Sequence, residues 1–127
     1  MKWSTEIYTR HVQESKDFYC KYFDFKIKLE IDGFVVLQHK KKTEYELLFC
    51  VPNSPFVNKL FHPEFEGKGI LFQMEVDDVE KEYRRLKRLG IKIKLPLVNE
   101  PVNGKHFTVI DPNNIPIDIV QLDFPSS

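Results

Sequence analysis

Residues Gly69 to Ile91 read GILFQMEVDDVEKEYRRLKRLGI, a strand, a helix start, a helix and a helix exit in direct succession. Ile70, Phe72, Met74 and Val76 alternate with Leu71, Gln73 and Glu75, the two-residue period of a strand with one apolar and one mixed face. Asp77 and Asp78 end that strand. The Asp78 carboxylate is placed to accept hydrogen bonds from backbone N–H groups that the first helical turn leaves without partners. Val79, Tyr83, Leu86 and Leu89 follow at helical spacing, with Lys and Arg on the other face. Gly90 supplies the left-handed conformation of a helix exit, and a strand resumes at Ile91.

The front of the chain repeats this plan. Thr5, Ile7 and Thr9 alternate with Ser4, Glu6 and Tyr8, a turn follows at Arg10 and His11, and Val12, Phe18, Tyr19, Tyr22 and Phe23 form an aromatic helical stripe. Asp24 stands where Gly90 stands, and Phe25-Lys26-Ile27-Lys28-Leu29 then echoes Ile91-Lys92-Ile93-Lys94-Leu95. Internal repetition of this kind reports architecture directly. It predicts an α+β domain over residues 1–127 made of module one (1–51), a connector (52–68), module two (69–123) and a tail (124–127).

With 127 residues and 42% hydrophobic content, the chain is long enough for one shared core. Its 19 basic and 19 acidic residues cancel, which argues against nucleic acid or an anionic membrane surface as partner. The opening MKWSTEIYTRH holds no apolar run, so neither a signal peptide nor a membrane span is expected and a cytoplasmic protein is. Cys20 and Cys50 lack metal or redox spacing and are expected as buried free thiols.

Taken in order, Phe25 to Glu30 reads as a strand, Asp32-Gly33 as a tight turn and Phe34 to Gln38 as the returning strand. Lys40 to Glu44 reads as a solvated hairpin tip, and Tyr45 to Val51 as a strand with Tyr45, Leu47 and Phe49 on one face and Glu46, Leu48 and Cys50 on the other. The connector Pro52 to Lys68 carries Phe56, Leu60, Phe61 and Phe65; it either packs over the sheet or walls a pocket or subunit contact. Ile91 to Leu95 is a strand ended by Pro96, Asn99 to Gly104 is loop, and Lys105 to Ile110 is a strand. Asp111-Pro112-Asn113-Asn114 is a tight turn and Ile115 to Leu122 the last strand, with Phe124 as a candidate anchor for the tail. In that strand Ile117 and Ile119 oppose Asp118 and Val120.

The sequence Ser15-Lys16-Asp17-Phe18-Tyr19, then Val76-Asp77-Asp78-Val79, then His106-Phe107 through Asp111-Pro112-Asn113-Asn114 to Asp118 resembles the vicinal oxygen chelate superfamily. That group includes glyoxalase I, extradiol dioxygenases and bleomycin-resistance proteins. The resemblance covers nearly the whole chain. It implies two βαβββ modules in tandem, their mixed sheets curved around a cleft that a second subunit completes as a homodimer. Metal-using members place a His or Gln on the first strand of each module and a Glu near the last. Those positions fall here on Ser4, Leu71, Glu46 and Asp118. Serine and leucine are unsuited to a transition metal, so the resemblance points to the metal-free, bleomycin-resistance-like branch.

The leading expectation is therefore metal-independent binding of a small cationic or amphipathic molecule. The lining residues would be Ser4, Glu6, Tyr8, Glu46, Leu48, Leu71, Gln73, Glu75, His106, Asp118 and Val120, with acids beside aromatic rings suiting a cation. No cofactor is expected on this reading. The alternative is a lyase, isomerase or dioxygenase of the same superfamily, with Glu46 and Asp118 as ligands of a divalent metal ion or as acid and base, and His106 as a further proton-handling candidate. A protein-interaction or self-resistance regulator is a third reading. His11, His39 and His62 read as surface polar residues.

Overall fold

The computed structural model describes residues 1–53, 55, 57–101 and 104–122. Phe56, Val102, Asn103 and Phe124, which the sequence placed in the connector, a loop and the tail, lie outside the described residues. The chain forms two compact units, Met1–Glu66 and Gly67–Ser127.

In the first unit, β1 (Ser4–Tyr8), α1 (Val12–Tyr22), β2 (Phe25–Ile31), β3 (Phe34–His39) and β4 (Glu46–Cys50) follow in sequence. They build a four-stranded sheet of order β1-β4-β3-β2. It is mixed, because β1 runs parallel to β4 and the other neighbours are antiparallel. One face carries Ile7, Phe49, Val35 and Leu37, all buried, and packs against α1. The packing centres on Tyr19, whose ring stacks on Phe49 at 5.6 Å and meets Phe25 edge-on at 5.9 Å. Asp24 leaves the helix with φ 59° and Gly90 does so with φ 90°, so the matching positions share one left-handed exit.

β2 departs from simple alternation. A register shift between Ile27 and Leu29 sets Leu29 across from Val36 and Ile31 across from Phe34, whereas Ile27 faces Leu37. Leu29 and Ile31 thereby turn to the sheet face away from α1, where both are exposed. Glu30 turns the other way and accepts from Lys16 of α1 at 2.8 Å.

The connector packs along the open edge of β1. Lys59–Phe61 forms a 3₁₀ turn capped by the Asn58 side chain, the Phe61 ring stacks on Tyr8 at 5.8 Å, and the Phe65 N–H donates to the Tyr8 carbonyl at 2.9 Å. Leu60 is left exposed.

The second unit repeats the plan with β5 (Phe72–Glu75), α2 (Val79–Arg88), β6 (Ile93–Glu100), β7 (Gly104–Ile110) and β8 (Pro116–Gln121). The order is β5-β8-β7-β6, with β5 parallel to β8. The Asp78 carboxylate caps α2 by accepting from the Lys81 N–H at 3.1 Å. Val79 and Leu86 are buried and Tyr83 meets Phe107 edge-on at 4.9 Å. Leu89 caps the helix end and is exposed, so the apolar stripe stops one turn early.

Pro96 does not end its strand: β6 runs through it to Glu100, and the expected loop from Asn99 is correspondingly shorter. β6 is an edge strand with register irregularities between Ile93 and Val98, a setting in which the missing N–H of proline disrupts no interior ladder. Gly104 follows with φ 72°, and a Cβ there would lie 2.5 Å from the Gln121 carbonyl oxygen. Gly104→Ala should therefore lower stability by about 1–3 kcal/mol in urea unfolding followed by circular dichroism.

Candidate functional site

The first unit's sheet face away from α1 gathers five of the residues read from sequence. Strand register puts Ser4 across from Glu46, Glu6 across from Leu48 and Tyr8 across from Cys50. Gln38, Val36 and Phe34 extend the same rows on β3, and Leu29 and Ile31 extend them on β2. The face thus grades from a polar end at Ser4, Glu46 and Gln38 to an apolar end at Phe34 and Ile31.

Glu46, read from sequence as a lining residue or as a metal ligand or acid–base group, is covered and paired within the chain. Its side chain is 8% exposed, and its Oε2 accepts from the Lys2 ammonium, from the Lys28 ammonium at 2.6 Å and from the Gln38 amide at 3.3 Å. The bonds from Lys2 and Lys28 hold its pKa below the usual carboxylate value despite burial. Two residues along, the Tyr8 hydroxyl donates to Glu6 at 2.9 Å. Burial first, then the Glu6 bond and charge, push the Tyr8 pKa up to about 12.

In the second unit the face away from α2 carries Gln73 across from Asp118, Glu75 across from Val120, and Thr108 and His106 beside them on β7. Gln73, rather than Leu71, is therefore the first-strand residue opposite the acid. Leu71 precedes β5 and is half exposed. His106 bridges two carboxylates, with Nδ1 2.9 Å from Asp118 Oδ1 and Nε2 2.9 Å from Glu100 Oε1. The Thr108 hydroxyl donates to the same Asp118 oxygen at 3.3 Å.

A ring with a carboxylate on each nitrogen donates from both only as imidazolium. Burial lowers the His106 pKa, but the bonds to Asp118 and Glu100 outweigh it and the net shift is upward. A folded-state pKa raised above the unfolded one gives stability that is complete below the unfolded value and is lost as pH rises through the folded value. Melting temperature measured against pH should therefore show a His106 contribution that fades on the alkaline side of the usual imidazole range and is reduced in Asp118→Asn. Glu46 acts with the opposite sign. Its lowered pKa gives stability that is present above the usual carboxylate range and is lost on acidification.

The remaining histidines are dispersed. His11 lies 2.8 Å from Glu14, and His39 Nδ1 accepts from the Lys41 and Lys42 N–H groups. His62 differs from a surface residue, since its Nε2 is closed off without a partner among the described residues. Cys50 is buried whereas Cys20 is only half-buried, and burial pushes both thiols up. A hollow of about 460 Å³ lies in the first unit, lined by Arg10 and by Pro52, Asn53, Pro63, Glu64 and Glu66 of the connector, the segment read from sequence as a possible pocket wall; none of the individually named ligand-lining residues borders it.

The donor set does not fit a transition metal. Glu46 Oε2 is taken by two ammoniums and an amide, Asp118 Oδ1 by an imidazole and a hydroxyl, and of the two first-strand positions Ser4 supplies a hydroxyl and Gln73 a single amide oxygen. Among the described residues no group of three His, Cys, Asp or Glu side chains is arranged to hold a metal ion. In both units the acid is instead met by a base of the chain itself. Those bases and their helpers, Lys2, Lys28, Gln38, Glu100 and Thr108, were not singled out from sequence.

Two sheets of this topology, each with a helix on one face and a polar, partly apolar surface on the other, define the class of tandem βαβββ proteins. The chain belongs to the glyoxalase/bleomycin resistance protein/dioxygenase superfamily, whose sequence profile matches residues 4–119. Among solved structures it is similar to lactoylglutathione lyase from Agrobacterium tumefaciens, with a TM-score of 0.71, 19% identity, and coverage of 95% of this chain and 92% of that one. It is similar to TnmS3, an antibiotic binding protein from Streptomyces sp. CB03234, with a TM-score of 0.70, 20% identity and coverage of 99% and 96%. It is also similar to a bleomycin-binding protein complexed with bleomycin, with a TM-score of 0.66, 18% identity and coverage of 97% and 99%. At these identities the likeness is one of fold. No curated protein matches the sequence.

Proposed function

We propose that this protein binds a small amphipathic molecule without using a metal ion, in the manner of the bleomycin-resistance branch of its family. The observation that carries the reading is the first unit's sheet face away from α1, where exposed Leu29 and Ile31 share a surface with exposed Glu6 and with Tyr8. A sheet face that keeps large apolar side chains in water beside an acid and stacked rings suits a ligand with an apolar body and a positive group. The cationic part falls to Glu6, Tyr8 and Phe61, because Glu46 is already neutralised by two lysines. The structures of bleomycin-binding and antibiotic-binding proteins of the same fold support this reading. A homodimer belongs to it as well, given the exposed Leu95 and Val98 on edge strand β6 and Ile27 on edge strand β2.

Decyltrimethylammonium should raise the melting temperature, and Glu6→Gln should weaken the rise about tenfold in apparent affinity. No response across a panel of hydrophobic cations and amphipaths would sink the reading. A second reading, acid–base catalysis, has one feature in its favour: the Glu100, His106 and Asp118 chain. It requires a His106→Asn protein that still binds its substrate but no longer converts it.

A further inference from the structure

We propose that Lys2 and Lys28 form a receptor for a ligand carboxylate at the polar end of the first unit's open sheet face. Both ammoniums converge on one oxygen, Oε2 of Glu46. Two groups that share one acceptor stand close enough for the two oxygens of a second carboxylate to bridge them. The charges do not balance: two ammoniums meet one carboxylate, and among the described residues neither lysine has another acid as partner.

Each ammonium carries three N–H donors, and the lysine side chains remain 43% and 47% exposed while Glu46 is 8% exposed. Donors thus point to water from a site whose resident acid is covered. Gln38 donates to the same Glu46 oxygen from the β3 side at 3.3 Å, which holds the acid in place beneath the lysines. Ser4, across from Glu46, adds an exposed hydroxyl on the rim.

At this end of the sheet face two fixed ammoniums present positive charge to the oxygens of a ligand, above a single covered acid. Glu6 lies one row further along the sheet and Tyr8 two rows, roughly 7 and 13 Å away at strand spacing. A ligand with a carboxylate at one end and a positive or aromatic group at the other would match both ends.

This inference rests on reading that face as the ligand surface, and the test separates the two. Decanoate, decanol and decyltrimethylammonium are titrated into the full chain, with Trp3, its only tryptophan and the neighbour of Lys2, as the fluorescent reporter. Decanoate should bind at least about tenfold tighter than decanol and weaken as salt is raised. Lys2→Gln with Lys28→Gln should remove that advantage. Glu46→Gln should strengthen decanoate binding several-fold, because the resident competitor loses its charge; a merely apolar surface would not respond in this way. Melting temperatures of the variants establish that each is folded. Decanoate binding no tighter than decanol, or unchanged affinity in the double lysine variant, overturns the receptor. If decyltrimethylammonium still binds in that case, the ligand face stands without it; if none of the three binds, both fall.

Discussion

Tyr19→Ala should lower folding stability by about 3–5 kcal/mol, the range for removing a fully buried large aromatic side chain from a core. Tyr19 is 0% exposed. Its ring stacks on Phe49 with 26° between planes and meets Phe25 and Phe18 edge-on at 5.9 and 5.1 Å. Removing it leaves a void between α1 and the sheet that rigid neighbouring rings cannot close. Leu29→Ala is the matched control on the opposite sheet face. Leu29 is 49% exposed, so its loss should shift stability by about 0.5 kcal/mol or less. Urea unfolding of both variants by circular dichroism decides the matter. A Leu29→Ala cost equal to that of Tyr19→Ala would mean that the face away from α1 is a second core and not a ligand surface.

That contrast bears on what the sequence made legible. The strand, helix and strand order of each module follows from local signals: period-2 and helical stripes, the Asp78 cap, and left-handed exits at Asp24 and Gly90. Each acts within a few residues, so each can be read without knowing the fold. Pro96 misled because its compatibility with a strand depends on β6 being an edge, which is a property of the whole sheet. The facing of β2 is hidden for a related reason. Simple alternation gives Ile27, Leu29 and Ile31 one face, but the register shift sends Leu29 and Ile31 to the other, and nothing in FKIKLEI announces it.

The candidate site divides in the same way. Parity along β1 and β4 is enough to put Ser4, Glu6, Tyr8, Glu46 and Leu48 on one face, and parity along β8 separates Asp118 from Ile117. The partners of the acids were hidden, because Lys28 meets Glu46 across β3 and Glu100 meets His106 from a segment that reads as loop. Family position marked where the acids stand. Only register revealed that the chain supplies its own cations to them.

Asp111→Ala should lower stability by about 2–6 kcal/mol, because it strands two buried N–H groups at roughly 1–3 kcal/mol each. Asp111 is 3% exposed, and its Oδ1 accepts from the Asn113 N–H at 2.8 Å and from the Ile115 N–H at 2.9 Å. These bonds close the turn in which Asn114 takes φ 62°, and the turn sets the pairing of β7 with β8. In that register Thr108 lies across from Asp118 and His106 across from Val120, so the carboxylate at the turn also positions the acid that holds the imidazole. Asp111→Asn supplies the discriminating comparison. An amide keeps an oxygen at the Oδ1 position for the two backbone N–H groups and gives up acceptance at Oδ2, where the Asn113 side chain donates at 3.4 Å, so its cost should stay below that of alanine, near about 1 kcal/mol. If the turn acts through those N–H bonds, alanine alone should also diminish the alkaline fading of stability assigned to His106, since the Asp118 bond depends on register. Equal losses for alanine and asparagine would show instead that the negative charge, rather than hydrogen bonding, holds the turn.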